Sequence, residues 1–188
     1  MGACGFGLAS SSLAIRTSFS LASPTQVDPG LAIVLVSNGP GELSTWVRPL
    51  AERLHAILPL RPRMQDATIS LQLVLVPCPN ATGHEVEAAR PWHQFERIVP
   101  ARRFWQLLIQ PRRFGPWPRR GVVVFLGGDQ FWTVLLSKRL GYRHITYAEW
   151  VARWPQWNDR VAAMSETVRD QLPPVQRGRC RVVGDLMA

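Results

Sequence analysis

The sequence is poor in the residues that most often announce a chemistry. It holds three cysteines, Cys4, Cys78 and Cys180, widely spaced, odd in number and without a CxxC pair. That excludes a disulfide framework and a cysteine-rich metal centre, and it fits a reduced, cytosolic compartment. No apolar run approaches the roughly 18–20 residues that a membrane-spanning helix requires. Neither a GxGxxG fingerprint nor a GxxxxGK(S/T) phosphate loop occurs, so no nucleotide motif stands by itself. Acidic residues are also scarce: 13 Asp and Glu face 22 Lys and Arg, a net charge of +9, with arginine far ahead of lysine. Such an excess attracts nucleic acid, anionic lipid or phosphorylated substrates, and charge alone does not choose among them.

What is present suits a globular domain. The 188 residues are 46% hydrophobic with a mean hydropathy of −0.03, enough for one substantial core. Residues 1–29 differ from the rest: Ser-, Ala- and Gly-rich, with Arg16 as the only base and Asp28 as the only acid. They read as a leader. The composition matches a disordered tail, a start codon placed too early or an organellar transit peptide, and it lacks the positive start and unbroken apolar core of a secretory signal.

The most informative stretch is Leu31 to Leu54. Six apolar residues, Leu31 to Val36, have the length of a strand buried on both faces. Ser37, Asn38, Gly39, Pro40 and Gly41 then predict a tight turn whose glycines bring bare main chain close to a ligand. Leu43, Val47, Leu50, Leu54 and Ile57 recur at helical spacing, with Pro49 predicting a kink or a late helix start. Strand, glycine turn and helix open a nucleotide-binding type of unit, whose geometry favours an anion or a sugar beyond the strand's carboxyl end; a plain packing turn fits the same residues.

Further strands are predicted at Ile69–Val76, Arg97–Val99, Gly121–Leu126, His144–Tyr147, Val161–Met164 and Cys180–Val183. Between them fall a short helix near Thr82, with Glu85, Glu87 and Arg90 on its wet face, a helix at Phe131–Leu140 and one capped by Ser165. This rhythm predicts an α/β fold: a doubly wound, mainly parallel Rossmann-like sheet over residues 30–188. Asp129, after the Gly127-Gly128 turn, stands where open α/β sheets bind ligands and is the first candidate for chemistry; helix N-capping is its structural alternative. Ala148–Asp159 concentrates three tryptophans with Glu149 and Arg153, a composition found at pockets and interfaces. Ala101–Arg120 interleaves Arg102, Arg103, Arg112 and Arg113 with Phe104, Trp105 and Trp117. It suits the surface of an anionic membrane, or equally a core-packing helix followed by a Pro-rich loop.

Four motifs in order resemble the amino-terminal half of the lipid A disaccharide synthases, glycosyltransferases of the GT-B type. Gly41-Glu42-Leu43-Ser44 is similar to that family's GExSGD loop, and Gly128-Asp129 to its GID element. Tyr147 to Trp154, YAEWVARW, resembles YVSPSVWAWR; Cys180 to Met187, CRVVGDLM, resembles CRFVGHPL. The sequence departs from the pattern with Thr45 and Trp46 after the serine, with a single aspartate at Asp129 where the family has two, and with Asp185 in place of a histidine.

The resemblance implies transfer of an acylated glucosamine from UDP to an acylated glucosamine phosphate, with inversion at the anomeric carbon. It casts Asp129, with Glu42, in the catalytic role, Asp129 as general base or acceptor anchor. Asn38, Gly39, Gly41 and Ser44 would line the cleft, while Tyr147, Trp150, Arg153 and Trp154 would hold sugar and phosphate. No cofactor and no metal are expected. The second GT-B domain, which holds most of the nucleotide-sugar site, is absent from the sequence, so a second-domain chain or a homo-oligomer is an expected partner. The expected location is cytoplasmic, peripheral at the inner membrane surface. A catalytically silent acceptor-binding or scaffold domain is the alternative, and a nucleic-acid-binding module ranks last, because no RNA- or DNA-binding motif accompanies the charge.

Overall fold

The computed structural model describes Met1 and residues 30–64, 67–79 and 81–187. Apart from Met1, the expected leader lies outside the described residues. The apolar runs become seven parallel strands: β1 (Leu31–Ser37), β2 (Ile69–Leu75), β3 (Arg97–Val99), β4 (Arg120–Phe125), β5 (Arg143–Ala148), β6 (Arg160–Ala163) and β7 (Cys180–Val182). Their order in the sheet is β3-β2-β1-β4-β5-β6-β7. The fold is Rossmann-like α/β. β1 pairs with β2 on one side and β4 on the other, with Leu31 opposite both Ile69 and Arg120.

Alternation along β1 builds two cores. Ile33 and Leu35 join Leu71, Leu73 and Leu75 of β2 on one face, beneath Val47 and Ala51. Ala32, Val34 and Val36 join Val74, Val123, Phe104 and Leu136 on the other. Helices therefore cover both faces, which is why the central strands read as continuous apolar runs. The covering helices are α1 (Arg48–Ile57), α2 (Glu85–Ala89), α3 (Phe104–Ile109), α4 (Gln130–Leu140), α5 (Glu166–Asp170) and α6 (Pro174–Arg177). No helix of the described residues is long and apolar enough to cross a membrane.

Pro49 has a specific accommodation. The chain leaves β1 through a short helical turn, Pro40–Glu42, widens into a π-helical turn over Leu43–Val47, and only then becomes α-helical. The Arg48 amide reaches back five residues to the Leu43 carbonyl, so Pro49 falls in the first turn of α1, where its missing N–H costs least. The late start is the alternative that the fold adopts.

Three expectations need correction. Glu85 is not on a wet face: it is buried, and its carboxylate accepts from the amides of Thr82 and Gly83 and from the Thr82 hydroxyl, tying down the turn before α2. Although burial opposes ionisation, those donors win and hold its pKa below the ordinary value. Phe104, assigned to a membrane surface, is 0% exposed and packs edge-on against Trp132 of α4. Trp117, from the same group, is half-buried, with Arg97 over its ring and its indole N–H donating to the Pro111 carbonyl. The apolar side of α3 supplies core, and Arg139 of α4 closes its end by donating to the Leu108 and Ile109 carbonyls.

His144 makes the fold sensitive to acid. It is buried in β5, next to Thr146, whose hydroxyl donates to Asn158, while the His144 amide donates to the Asp159 carboxylate. Burial of the imidazolium outweighs the Trp157 carbonyl and the Asp159 charge, so its pKa falls from 6.5 to about 4. The unfolded chain then binds the proton more readily than the folded one. The contribution is fully present above pH 6.5 and is lost as pH falls towards about 4, with a span of about 3 kcal/mol. Urea unfolding across this window will show that decline, and His144→Gln will flatten it. An unchanged slope in the variant would contradict the assignment.

Candidate functional site

Strand order reverses direction between β1 and β4, so the connections leaving their carboxyl ends run to opposite sides of the sheet. In open α/β sheets that divergence opens a crevice. Here it is a cleft of about 920 Å³, bordered by Asn38, Glu42 and Trp46 after β1, Pro77 and Cys78 after β2, Leu126–Gln130 after β4, and Tyr147 with Glu149–Val151 and Arg153 after β5.

Glycines shape it by what they leave out. A Cβ at Gly127 would lie 2.8 Å from Cγ and 3.1 Å from Cβ of Glu42, and one at Gly39 would meet the Glu42 carboxylate. Glu42 is therefore wedged between the two switch turns. Gly128 takes the left-handed region with φ +92°, and a Cβ there would press on Val76 and Asn38. Gly39, by contrast, has an ordinary φ of −112°, and Gly41 faces open space. Neither glycine of the first turn takes a left-handed angle, and what Gly39 supplies is room for Glu42.

Asn38 and Trp46 give the cleft its polarity. Asn38 is 7% exposed, and among the described residues its Oδ1 has no hydrogen-bond partner, nor has the indole N–H of Trp46. Groups withdrawn from water in this way cost about 1–3 kcal/mol each unless something fills the bond. One accepts and the other donates. Trp46 is held edge-on against Tyr147 with ring centroids 5.8 Å apart, and the buried Tyr147 hydroxyl lies 3.4 Å from the Gly184 carbonyl. Burial raises the pKa of that phenol.

Asp129 performs the capping role: its Oδ1 accepts from the Phe131 amide at 2.9 Å, starting α4. A carboxylate has lone pairs left over after one such bond, so capping does not prevent contact with a ligand. Gln130 fixes the opposite wall. Nearly buried, it donates to the Val151 carbonyl at 2.9 Å and accepts from the Arg153 amide at 2.7 Å, clamping the Glu149–Arg153 loop to α4.

No family model matches the chain, and no match is found among curated proteins.

Of the residues expected from sequence, the structure brings Asn38, Glu42, Asp129, Tyr147, Trp150 and Arg153 to one cleft. Gly39, Gly41, Ser44 and Trp154 do not border it. The Ser44 hydroxyl donates to the Pro40 and Gly41 carbonyls of its own turn, and Trp154 stacks on Trp157. The arginines of the basic segment, Arg102, Arg103, Arg112 and Arg113, are exposed and lie outside the lining, as does Trp105. Trp46 and Gln130 were missed. Trp46 follows Glu42 by four residues, a helical spacing that could have paired them. Gln130 left no such signal, because its partners are backbone groups over twenty residues away. No group of three or more metal-ligating side chains occurs among the described residues.

The glycine packing is testable by comparing two alanine substitutions. Gly127→Ala will destabilise by about 1–3 kcal/mol in urea unfolding, because the atoms it meets are close to the Glu42 backbone and cannot swing away. Gly41→Ala, facing open space in a helical turn, will be neutral or stabilising by up to about 1 kcal/mol. Equal effects would contradict the wedge.

Proposed function

We propose that this chain is the acceptor-binding domain of a GT-B-type glycosyltransferase resembling the lipid A disaccharide synthases. The observation that carries the reading is the pair of buried, unpartnered polar atoms, Asn38 Oδ1 and Trp46 Nε1, on two residues that border the cleft at the sheet's switch point. A sugar hydroxyl donates to the first, and a hydroxyl or carbonyl oxygen accepts from the second. The charges around them favour a largely neutral ligand. Glu42, Asp129 and Glu149 border the cleft against the single guanidinium of Arg153, in a protein whose net charge is +9. A diphosphate would be repelled there, whereas one phosphate can pair with Arg153 at the rim.

In this reading the acceptor sugar lies across Asn38 and Trp46 with its attacking hydroxyl at Asp129. The carboxylate takes the hydroxyl proton as the oxygen bonds to the anomeric carbon. The bond from that carbon to the diphosphate breaks at the same time, its electron pair leaving with UDP, and the configuration inverts. The resemblance places the donor nucleotide mainly on a second domain. The silent acceptor-binding alternative draws on one observation: Asp129 is already engaged as a helix cap.

Titration of the chain with an acylated glucosamine phosphate in detergent tests the binding step. Asn38→Ala and Trp46→Phe will each weaken binding about five- to fifty-fold, the range for one lost hydrogen bond in a desolvated site. Undiminished affinity in both would overturn the reading. UDP release from a UDP-linked acylated glucosamine, abolished in Asp129→Ala, separates the catalytic form from the silent one.

A further inference from the structure

Positive charge, scarce at the cleft, gathers towards the amino ends of the last three strands. Register sets it there: Ile145 of β5 pairs with Arg160 of β6, and Ala162 pairs with Arg181 of β7. Arg179 precedes Cys180, the partner of Val161, and so stands level with Arg160. Because side chains alternate along a strand, Ile145, Arg160, Ala162, Arg179 and Arg181 share one face of the sheet. The other face is sealed, with Val161 and Ala163 buried alongside Val168 of α5 and Leu172. Right-handed crossovers account for the difference. They carry α4 and α5 to the side of Val123 and Val161, whereas α1 and α2 pack with Ile33 and Leu71 on the opposite side of the first half. Ile145 and Ala162 are left half-buried, and the three arginines are exposed.

Around Ile145 and Ala162 lies a recess of about 420 Å³, bordered by Arg160, Arg179 and Arg181. Like charges at one recess repel unless an anion joins them. None of the three forms an ion pair among the described residues. Arg160 donates to the Asp159 carbonyl at 2.9 Å, but the Asp159 carboxylate accepts from the His144 amide. Glu166 and Asp170, the acids of α5, both pair with Arg169. We infer that this recess binds an organic polyphosphate with the chemistry of a nucleoside triphosphate. The site goes beyond the acceptor-binding reading and does not depend on it. Three guanidiniums offer forked donors to several phosphate oxygens, and the floor of Ile145 and Ala162 gives a flat ring an apolar seat. The volume lies within the roughly 300–1,000 Å³ of small-molecule sites.

An acidic peptide is the competing partner of this charge, and the shape of the recess disfavours it. A docked helix needs an apolar strip to lie on. Here the arginines border a floor that offers Ile145 and the small Ala162, with Val183 beside them. The cleft is the wrong place for the same ligand, because Glu42, Asp129 and Glu149 border it against Arg153 alone. The two ends of the sheet therefore differ in the charge they accept.

The test is calorimetric titration of the full chain with ATP at about 0.15 M salt, where loose surface attraction is screened. ATP will bind once per chain and at least about tenfold more tightly than inorganic triphosphate, which lacks the ring. Arg160→Ala combined with Arg181→Ala will weaken ATP binding about tenfold or more, whereas Arg102→Ala combined with Arg103→Ala will leave it within about twofold. A nitrogen–proton amide spectrum needs no variant: ATP will shift the Ile145, Ala162 and Arg181 signals and leave those of Gly127 and Gly128 in the cleft unmoved. No binding, equal affinity for triphosphate and ATP, equal loss in the two double variants, shifts at Gly127 and Gly128 in place of the recess, or a polyglutamate peptide binding more tightly than ATP would each overturn the inference.

Discussion

The parallel pairing of β1 with β4 is the constraint on which the rest depends. It puts sequence neighbours β2 and β3 on one side of β1 and the whole run β4 to β7 on the other. The connections after β1 and β4 must then part company at adjacent strand ends, and the cleft is the gap they leave. The same pairing brings the two glycine turns face to face, so that Gly39 and Gly127 close around Glu42, and Gly128 lets the chain pass close over Asn38. Register carries this through. Val36 stands opposite Phe125, and the Leu126 and Gly127 amides continue the ladder onto the Val36 carbonyl.

From that frame the chemistry of the cleft follows with few additional parts. Two buried polar atoms, unpartnered among the described residues, provide one acceptor and one donor, three carboxylates and a single arginine border the cleft, and Tyr147 and Trp46 supply a rigid aromatic wall. The Gln130 clamp keeps the Glu149–Arg153 loop at a fixed distance from α4, so the exposed Trp150 stands at the rim on a held backbone. Such an arrangement is preorganised: the backbone geometry is set before a ligand arrives, which lowers the ordering cost of binding.

The strands and both switch turns were legible because their signals are local. Continuous apolar runs ending in glycine pairs fix a buried strand and its exit, and each of the seven strands begins or ends within about two residues of its expected position. Asp129 could be placed at the strand's end, but whether it capped a helix or faced a ligand could not be read, since both need the same residue at the same place. The basic segment failed for a different reason. Arginines alternating with aromatics describe a surface and a core helix equally well, and only the packing of Phe104 against α4 shows which side of α3 is which. Trp46 and Gln130 depend on contacts across the sheet, and those have no sequence period. The π-helical turn left a trace only in Pro49, whose cause becomes visible once the wide turn before it is seen.

The claim at the centre of the account is that a sugar fills the unpartnered bonds of Asn38 and Trp46. The most direct measurement is a nitrogen–proton spectrum of the tryptophan indoles, with the Trp46 signal assigned by its loss in Trp46→Phe, during titration with the acylated glucosamine phosphate. The account predicts that the Trp46 indole proton moves downfield as it gains an acceptor, and that this shift disappears in Asn38→Ala. Saturable shifts confined to exposed indoles such as those of Trp105, Trp154 and Trp157, with the Trp46 signal unmoved, would contradict it.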